Sequence, residues 1–410
     1  MKPAALRDRL AQLAAQHLQR RRRTVTPLAT ADGPVAIVDG RRVVNFCGND
    51  YLGLTAHPAL ATALAQCAAI AGAGSGASHL ISGHGVEHER LEAELAQFTG
   101  RPRALLFSTG YMANLAAVTC LAARDSHIVM DRLCHASLID AARLSGARLK
   151  RFAHADADAA AVALVHEAGH GPKHGRGHGA GHATLPGADL VVTDGIFSMD
   201  GDLAPLPQLA GAARAAEACL IVDDAHGLGV MGPTGRGSLE HFNLDHTAVP
   251  ILVGTLGKAF GCFGAFIAAD TDYVEWLLQT ARSYIYTTAL PPPVAAAARA
   301  ALSVASTEGW RRERVLALAA RLRAGCARAD IPLLASISPI QPVVLGASAR
   351  ALAVSELLFA AGFWVAAIRA PTVPKGSARL RITLSAAHTE QQVDGLIDAL
   401  AQALRSHAAA

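Results

Sequence analysis

The stretch CLIVDDAHGLGVMGPTGRGSLEHFNLDHTAVPILVGTLGKAFGCFGAFIAA, residues 219–269, decides the fold. It holds three short apolar runs: CLIV (219–222), PILVG (250–254) and GAFIAA (264–269). Continuous apolar runs of this length, without polar alternation, read as strands buried on both faces. The first two are separated widely enough for a crossover and read as parallel. The third follows the second too closely for a helical crossover, so it is expected to run antiparallel to it.

Working outward, the same unit recurs upstream as ALLF (104–107), HIVM (127–130), RLKRF (148–152) and DLVV (189–192), with Ala-rich helical stretches between. That alternation predicts an α/β fold with a seven-stranded, mostly parallel sheet covered by helices. After Pro291–Pro293 the texture changes. A helical region over 294–328 leads to short strands near 333–345, 364–369 and 379–385, then to an amphipathic helix over 388–404. This predicts a large domain over 46–293 and a smaller α+β domain over 294–410. Residues 1–45 are expected to pack with the smaller domain and to have no sheet of their own. Their first 23 residues read as a charged amphipathic helix with Leu6, Leu10 and Leu13 on one face.

Composition narrows the function. The chain has 410 residues, 51% hydrophobic and 17% charged, which excludes disorder. A formal net charge of +4 is too mild to point to nucleic acid, and Arg20–Arg23 is the one dense basic run. Seven scattered cysteines form no CxxC pair and point to a reducing compartment. Residues 52–86 carry no Asp, Glu, Lys or Arg, but Pro58 and the glycines interrupt them, so they do not read as a membrane span. No signal peptide is apparent, and a cytoplasmic location is expected. HEAGHGPKHGRGHGAGH (166–182) places a histidine at every fourth position among six glycines. Gly and Pro172 oppose a helix there, so the stretch reads as a solvated loop, with no metal site assigned.

Ligands of open α/β sheets bind beyond the carboxyl ends of the strands. Those ends carry Ser108–Tyr111 opening a helix, Asp131 and His135, Asp194 and Ser198, Asp223, Asp224 and His226, then Thr255 and Lys258. Each has an ordinary reading alone: a turn at Gly110, a packed or capping His135, a helix cap at Asp223, an exposed Lys258. One cofactor needs them together. Pyridoxal 5′-phosphate (PLP) requires a lysine for its aldehyde, a carboxylate for its pyridine nitrogen, a flat side chain against its ring, and backbone N–H groups at a helix N-terminus for its phosphate. Lys258, Asp223, His135 and the Gly110–Tyr111 helix start meet these demands. Two nucleotide readings fail. GTLGKA lacks the first Gly and the Ser/Thr of a phosphate loop, and GAGSGA (72–77) follows a helix rather than a strand.

Nine ordered motifs carry a resemblance: NDYLGL (49–54), GSGASHLISG (74–83), HERLE (88–92), FSTGYMAN (107–114), DRLCHAS (131–137), DGIFSMDGD (194–202), VDDAHGLGVMGPTGRG (222–237), GTLGKAFG (254–261) and YTTALPPP (286–293). With them the chain resembles the α-oxoamine synthases over about residues 20–400. These are dimeric fold-type-I PLP enzymes that condense an amino acid with an acyl thioester. The resemblance implies that Lys258 holds the cofactor and acts as base and acid at Cα, that Asp223 pairs with the pyridine nitrogen, and that His135 stacks on the ring. It further implies that His226 bonds the ring hydroxyl with Ser198 beside it. Gly110, Tyr111 and Thr255 would hold the phosphate, with Thr287 or Thr288 reaching from the second subunit of a homodimer. Asn49 and Arg369 would face the amino-acid carboxylate, Thr372 would line the substrate site, and Arg20 or Arg21 would meet the acyl substrate or remain a solvated basic helix end.

Leu256, Asp194 and Cys47–Gly48 depart from the usual family pattern without removing a required group. The C-terminal AIRAPTVPKGSARLRITLSAAHT (367–389) favours the branch that joins L-alanine to a pimeloyl thioester, on coenzyme A or acyl carrier protein. The expected products are 8-amino-7-oxononanoate, CO2 and free thiol. The alternatives are a glycine-using member, such as a glycine C-acetyltransferase or a 5-aminolevulinate synthase, or a non-catalytic subunit of the same fold. Intact Lys258, Asp223 and His135 oppose the last.

Overall fold

The structure, a computed structural model, describes residues 3–28, 33–168 and 189–408. Most of the histidine-rich stretch, residues 169–182, and the loop reading made of it lie outside the described residues. The chain divides into two compact units. The larger spans Leu54–Phe197 and Leu203–Gly309, and the smaller spans Met1–Gly53, Ser198–Asp202 and Trp310–Ala410.

The larger unit is built on a seven-stranded sheet in the order Arg103–Phe107, Ala265–Ala269, Ile251–Thr255, Cys219–Asp223, Leu190–Asp194, His127–Asp131, Arg148–Phe152. Every apolar run expected to be a strand is one. Ala265–Ala269 alone opposes its neighbours on both sides, and the other pairs are parallel. The reason for unbroken apolar runs is visible in the burial: Ile128, Val129 and Met130 are all inaccessible, as are Leu190, Val191 and Val192. Both faces are covered, so no position can be polar at low cost. Helices Gly110–Leu121 and Ala136–Ser145 pack on one another and supply Ala113, Ala117, Leu138 and Ala141 to the core.

The expected boundary after Pro293 lies elsewhere. The helical region over 294–328 is two helices, Pro292–Thr307 and Trp310–Arg328, and the unit boundary falls between them. Pro292–Thr307 packs on helices Pro58–Ala71 and Val86–Thr99 of the larger unit. Arg299 fastens it there, 2.7 Å from Glu87 and 2.6 Å from Glu94.

The smaller unit corrects the reading of the N-terminal segment. Residues before Asn45 do form a sheet: Val25–Pro27, Val35–Val38 and Arg41–Asn45, joined by Phe363–Trp364. The signal was Asp39–Gly40, whose positive φ values of 49° and 83° make the tight turn between the second and third strands. The first helix is also shorter than expected. It runs Pro3–Ala15 and stops before His17, whose φ is 56°, so Arg20–Arg23 follow the helix rather than end it. A second sheet orders Ile340–Gly346, Ala378–Thr383 and Ala366–Ile368 antiparallel, with helices Ser348–Ala360, Trp310–Arg328 and Glu390–Ala408. The strand expected from 333 begins only at Ile340. Ser336 Oγ bonds the Ile340 carbonyl at 2.8 Å and Ser338 N at 3.1 Å, which holds 336–340 in a local turn.

Candidate active site

The carboxyl ends of the central strands bring the cofactor candidates of the larger unit together. Asp223 closes strand Cys219–Asp223, and Lys258 lies three residues beyond strand Ile251–Thr255, its neighbour in the sheet. Lys258 Nζ is 2.8 Å from His226 Nε2. Thr255 Oγ1 donates to Gly264 O at 3.1 Å and accepts from Gly257 N at 3.2 Å, which shapes the turn that presents Lys258. That bond exists because Ala265–Ala269 runs backwards and so begins at the edge where its neighbour ends.

Three carboxylates crowd this edge, and their environments separate them. Asp194 and Asp223 are partners in register on adjacent strands. Burial first, then the like charge of Asp223, pushes the Asp194 carboxyl well above its ordinary range. Asp224 is inaccessible and raised to about 7 by burial, although Ser238 N and Oγ each donate to it at 2.6 Å. Gly227 and Gly237 crowd Asp224 so closely that a Cβ on either would strike its carboxylate. Asp223 accepts from Ala225 N at 3.0 Å and from Asn114 Nδ2 at 2.6 Å.

His135 caps helix Ala136–Ser145, its Nδ1 accepting from Ser137 N at 3.3 Å and lying 2.7 Å from Ser137 Oγ. The His135 backbone N–H donates to Asp194 Oδ2 at 2.8 Å. Burial lowers its pKa, against an opposing pull from Asp223, so the ring is held towards neutrality. Gly110 opens its helix at the Thr109 cap, which accepts from Met112 N at 3.2 Å, and a Cβ at Gly110 would meet open space. Tyr111 turns its hydroxyl to Asp140, so its backbone N–H, not its phenol, is left for an anion. Thr287 and Thr288 follow the short helix Arg282–Ile285 and are half-buried and exposed.

These residues fit PLP. A hydrogen-bonded carboxylate, an amine 2.8 Å from an imidazole, a near-neutral flat ring and an open helix start are the set that the cofactor's four groups require. The sequence reading missed Asn114 as an individual residue, although FSTGYMAN contains it. An Asn inside an apolar helix, Gly110–Leu121, was the available signal.

Ser198 and the substrate candidates belong to the smaller unit. Asn49 Oδ1 accepts from Arg381 Nη1 and Nη2, both at 3.2 Å, and from Tyr51 OH at 3.2 Å. The Ser198 carbonyl accepts from Arg381 Nε at 2.6 Å. Arg381 was read only as part of a strand, yet it is buried and meets uncharged acceptors at these contacts. Arg379, two residues away on the same face, is paired with Asp200. Arg369 lies further out, its guanidinium on the backbone carbonyls of His17 and Gln19. It lines a cavity of about 700 Å³ together with Arg21, Arg22 and Arg23. Arg23 is engaged by Asp39, Glu356 and the Phe359 ring, while Arg20 and Arg21 are exposed. Thr372 N donates to the Arg369 carbonyl at 3.0 Å.

The family model for aminotransferase class I and II matches residues 41–400. An 8-amino-7-oxononanoate synthase of Stutzerimonas stutzeri is 53% identical over 397 residues, covering 97% of this chain and 96% of its own. One from Thioalkalivibrio sulfidiphilus is 53% identical over 400 residues, covering 98% and 97%. Among solved structures, a serine palmitoyltransferase from S. paucimobilis with bound PLP–myriocin aldimine superposes with a TM-score of 0.89 at 28% identity, over 99% of this chain and 98% of that one. An 8-amino-7-oxononanoate synthase from Francisella tularensis gives 0.74 at 30% identity, over 89% and 99%. A lysine and an aspartate at neighbouring strand ends, on a fold shared with PLP-bound structures and a sequence half identical to these synthases, leave one placement. The chain belongs to the aminotransferase class I and II family and, within it, to the 8-amino-7-oxononanoate synthases, PLP-dependent acyltransferases of biotin biosynthesis.

Proposed function

We propose that the chain condenses L-alanine with a pimeloyl thioester, of coenzyme A or acyl carrier protein, using the residues described above. The observation that carries the reading is Lys258 Nζ beside His226, one strand away from an Asp223 that accepts from Asn114. When bound, PLP supplies a protonated pyridine ring into which electrons released at Cα can spread. Lys258 Nζ is the amine that attaches the cofactor. Displaced by the amino group of alanine, it takes the Cα proton and later returns one to the same carbon. Asp223 keeps the ring nitrogen protonated, and His135 covers one face of the ring. A C–C bond then forms between Cα and the acyl carbon, the thiolate leaves, and the alanine carboxylate departs as CO2. His226 and Ser198 are assigned to the ring hydroxyl, and Gly110, Tyr111 and Thr255, with Thr287 or Thr288 of a second subunit, to the phosphate.

For the amino-acid carboxylate the better candidate is Arg381 with Asn49, rather than Arg369. A buried guanidinium met by neutral acceptors gains most from an incoming carboxylate, and its fork suits a two-pronged contact. Arg369 and Arg21, lining one cavity, are assigned to the distal carboxylate of the acyl donor, with Arg20 and Thr372 as neighbours of Arg369. A homodimer fits the exposed apolar side chains of the larger unit, Ile70 (90%), Ile81 (81%), Tyr286 (69%) and Val86 (62%). Among the described residues no helix is long and apolar enough to cross a membrane. A cytoplasmic location is proposed from the seven cysteines, all free.

A product assay tests the reading, pairing alanine or glycine with pimeloyl or acetyl thioesters. The expected result is 8-amino-7-oxononanoate from alanine and the pimeloyl donor. In the same assay Arg381→Ala raises the KM for alanine at least tenfold, and Arg21→Ala raises that for the pimeloyl donor more than that for a neutral acyl chain. Faster turnover of glycine with an acetyl thioester would overturn the assignment.

A further inference from the structure

Asn114 is buried in helix Gly110–Leu121, and both hydrogens of its amide are committed. One goes to Asp223 Oδ2 at 2.6 Å and the other to Ser137 Oγ at 2.9 Å. The opposite amide orientation would set its oxygen against a carboxylate, so the contacts choose the orientation. Ser137, having accepted that hydrogen, lies with its Oγ 2.7 Å from His135 Nδ1 and can donate its own O–H there. The Ser137 backbone N–H points to the same nitrogen at 3.3 Å. His135 Nδ1 is thus an acceptor, and its ring proton belongs on Nε2. The hydrogen bonds run in one direction, from Asn114 to Ser137 to His135, and from Asn114 to Asp223. Asn114 Oδ1 is buried and receives no bond from the described residues.

We propose that Asn114 is a positioning residue for the cofactor. Its amide holds the Asp223 carboxylate in one orientation, and through Ser137 it holds His135 as the neutral Nε2–H tautomer. The inference rests on the assignment of Asp223 and His135 to the two sides of the PLP ring. It makes the carboxylate under the ring nitrogen and the imidazole over the ring face one hydrogen-bonded unit rather than two independent contacts.

The test uses the full chain, with and without PLP. In the cofactor-free chain, 15N NMR of the His135 ring is expected to report the Nε2–H form; an Nδ1–H form would overturn the directional chain. Asn114→Asp keeps the shape but opposes Asp223 with an acceptor. It is expected to weaken PLP binding 10- to 100-fold, the size of a lost hydrogen bond to a charged group. It should also move the pH at which the absorbance of bound PLP changes, an effect that a purely structural residue would not produce. Because one of the two Asn114 hydrogen bonds acts through Asp223, Asn114→Asp should cost less affinity in the Asp223→Asn background than in the wild type. Binding within twofold of the wild type, or fully additive losses, would overturn the proposal. Asn114→Ala serves in the same comparison if Asn114→Asp does not fold. Unchanged binding and spectrum in Asp223→Asn alone would instead sink the assignment of Asp223 itself.

Discussion

At the scale of single residues, the polar groups sort by what surrounds them, not by type. Asp194 and Asp224 stand within one sheet edge and are pushed towards the neutral acid by burial, although His135 N donates to the first and Ser238 N and Oγ to the second. The same logic predicts a pH effect in the smaller unit. His388 is inaccessible, stacked on Phe46 with ring centroids 4.0 Å apart. Its Nδ1 accepts from Ser385 N at 2.9 Å, so a proton there would displace a bond. Burial lowers its pKa to about 4. The unfolded chain therefore binds a proton at this residue between about pH 6.5 and 4 while the folded one does not. Stability is fully present above pH 6.5 and is lost as pH falls towards 4, by an amount on the order of 3 kcal/mol at most. Urea unfolding across that window should show this slope flattened in His388→Gln. An identical slope in both chains would remove His388 as the cause.

At the scale of elements, the strand Ile251–Thr255 shows how tightly the site's support is built. Gly254 sits where a Cβ would strike the Phe266 ring and Leu228. Phe266 is its partner on the antiparallel neighbour and is fully buried. Gly254→Ala is therefore expected to cost about 1–3 kcal/mol by overpacking, measured as a lower unfolding midpoint in denaturant. Because the strand ends three residues before Lys258, the variant should also bind PLP more weakly. An unchanged midpoint would mean that Phe266 can shift aside without loss.

At the scale of the whole molecule, the prediction concerns subunit number. Thr287 and Thr288 follow Tyr286, which is 69% exposed, and the segment is assigned to a second subunit's phosphate. Chains carrying Lys258→Ala and chains carrying Thr288→Ala should each be nearly inactive as homodimers. Co-expressed, they should form mixed dimers with one intact site and regain part of the activity. Light scattering should give twice the 42.4 kDa chain mass. No recovered activity, or a monomer mass, would mean that each chain completes its own site.

What the sequence by itself determined is the large sheet and its cofactor edge. Strands buried on both faces need unbroken apolar runs, and Lys258, Asp223 and His135 stand just beyond or at the ends of those runs. The N-terminal sheet around the Asp39–Gly40 turn was not legible in the sequence. Its strands are three to five residues long and lean on Phe363–Trp364, more than 300 positions later, a pairing no local pattern records. The same distance in sequence hid the polar partners. Asn114 lies in an Ala-rich helix and meets Asp223 across 109 positions, and Arg381 sits in a strand and meets Asn49 across 332. Local periodicity reports which face of an element is buried. Which buried polar group finds which partner is decided only when distant elements pack, because a hydrogen bond depends on a final approach of about 3 Å that no spacing along the chain encodes.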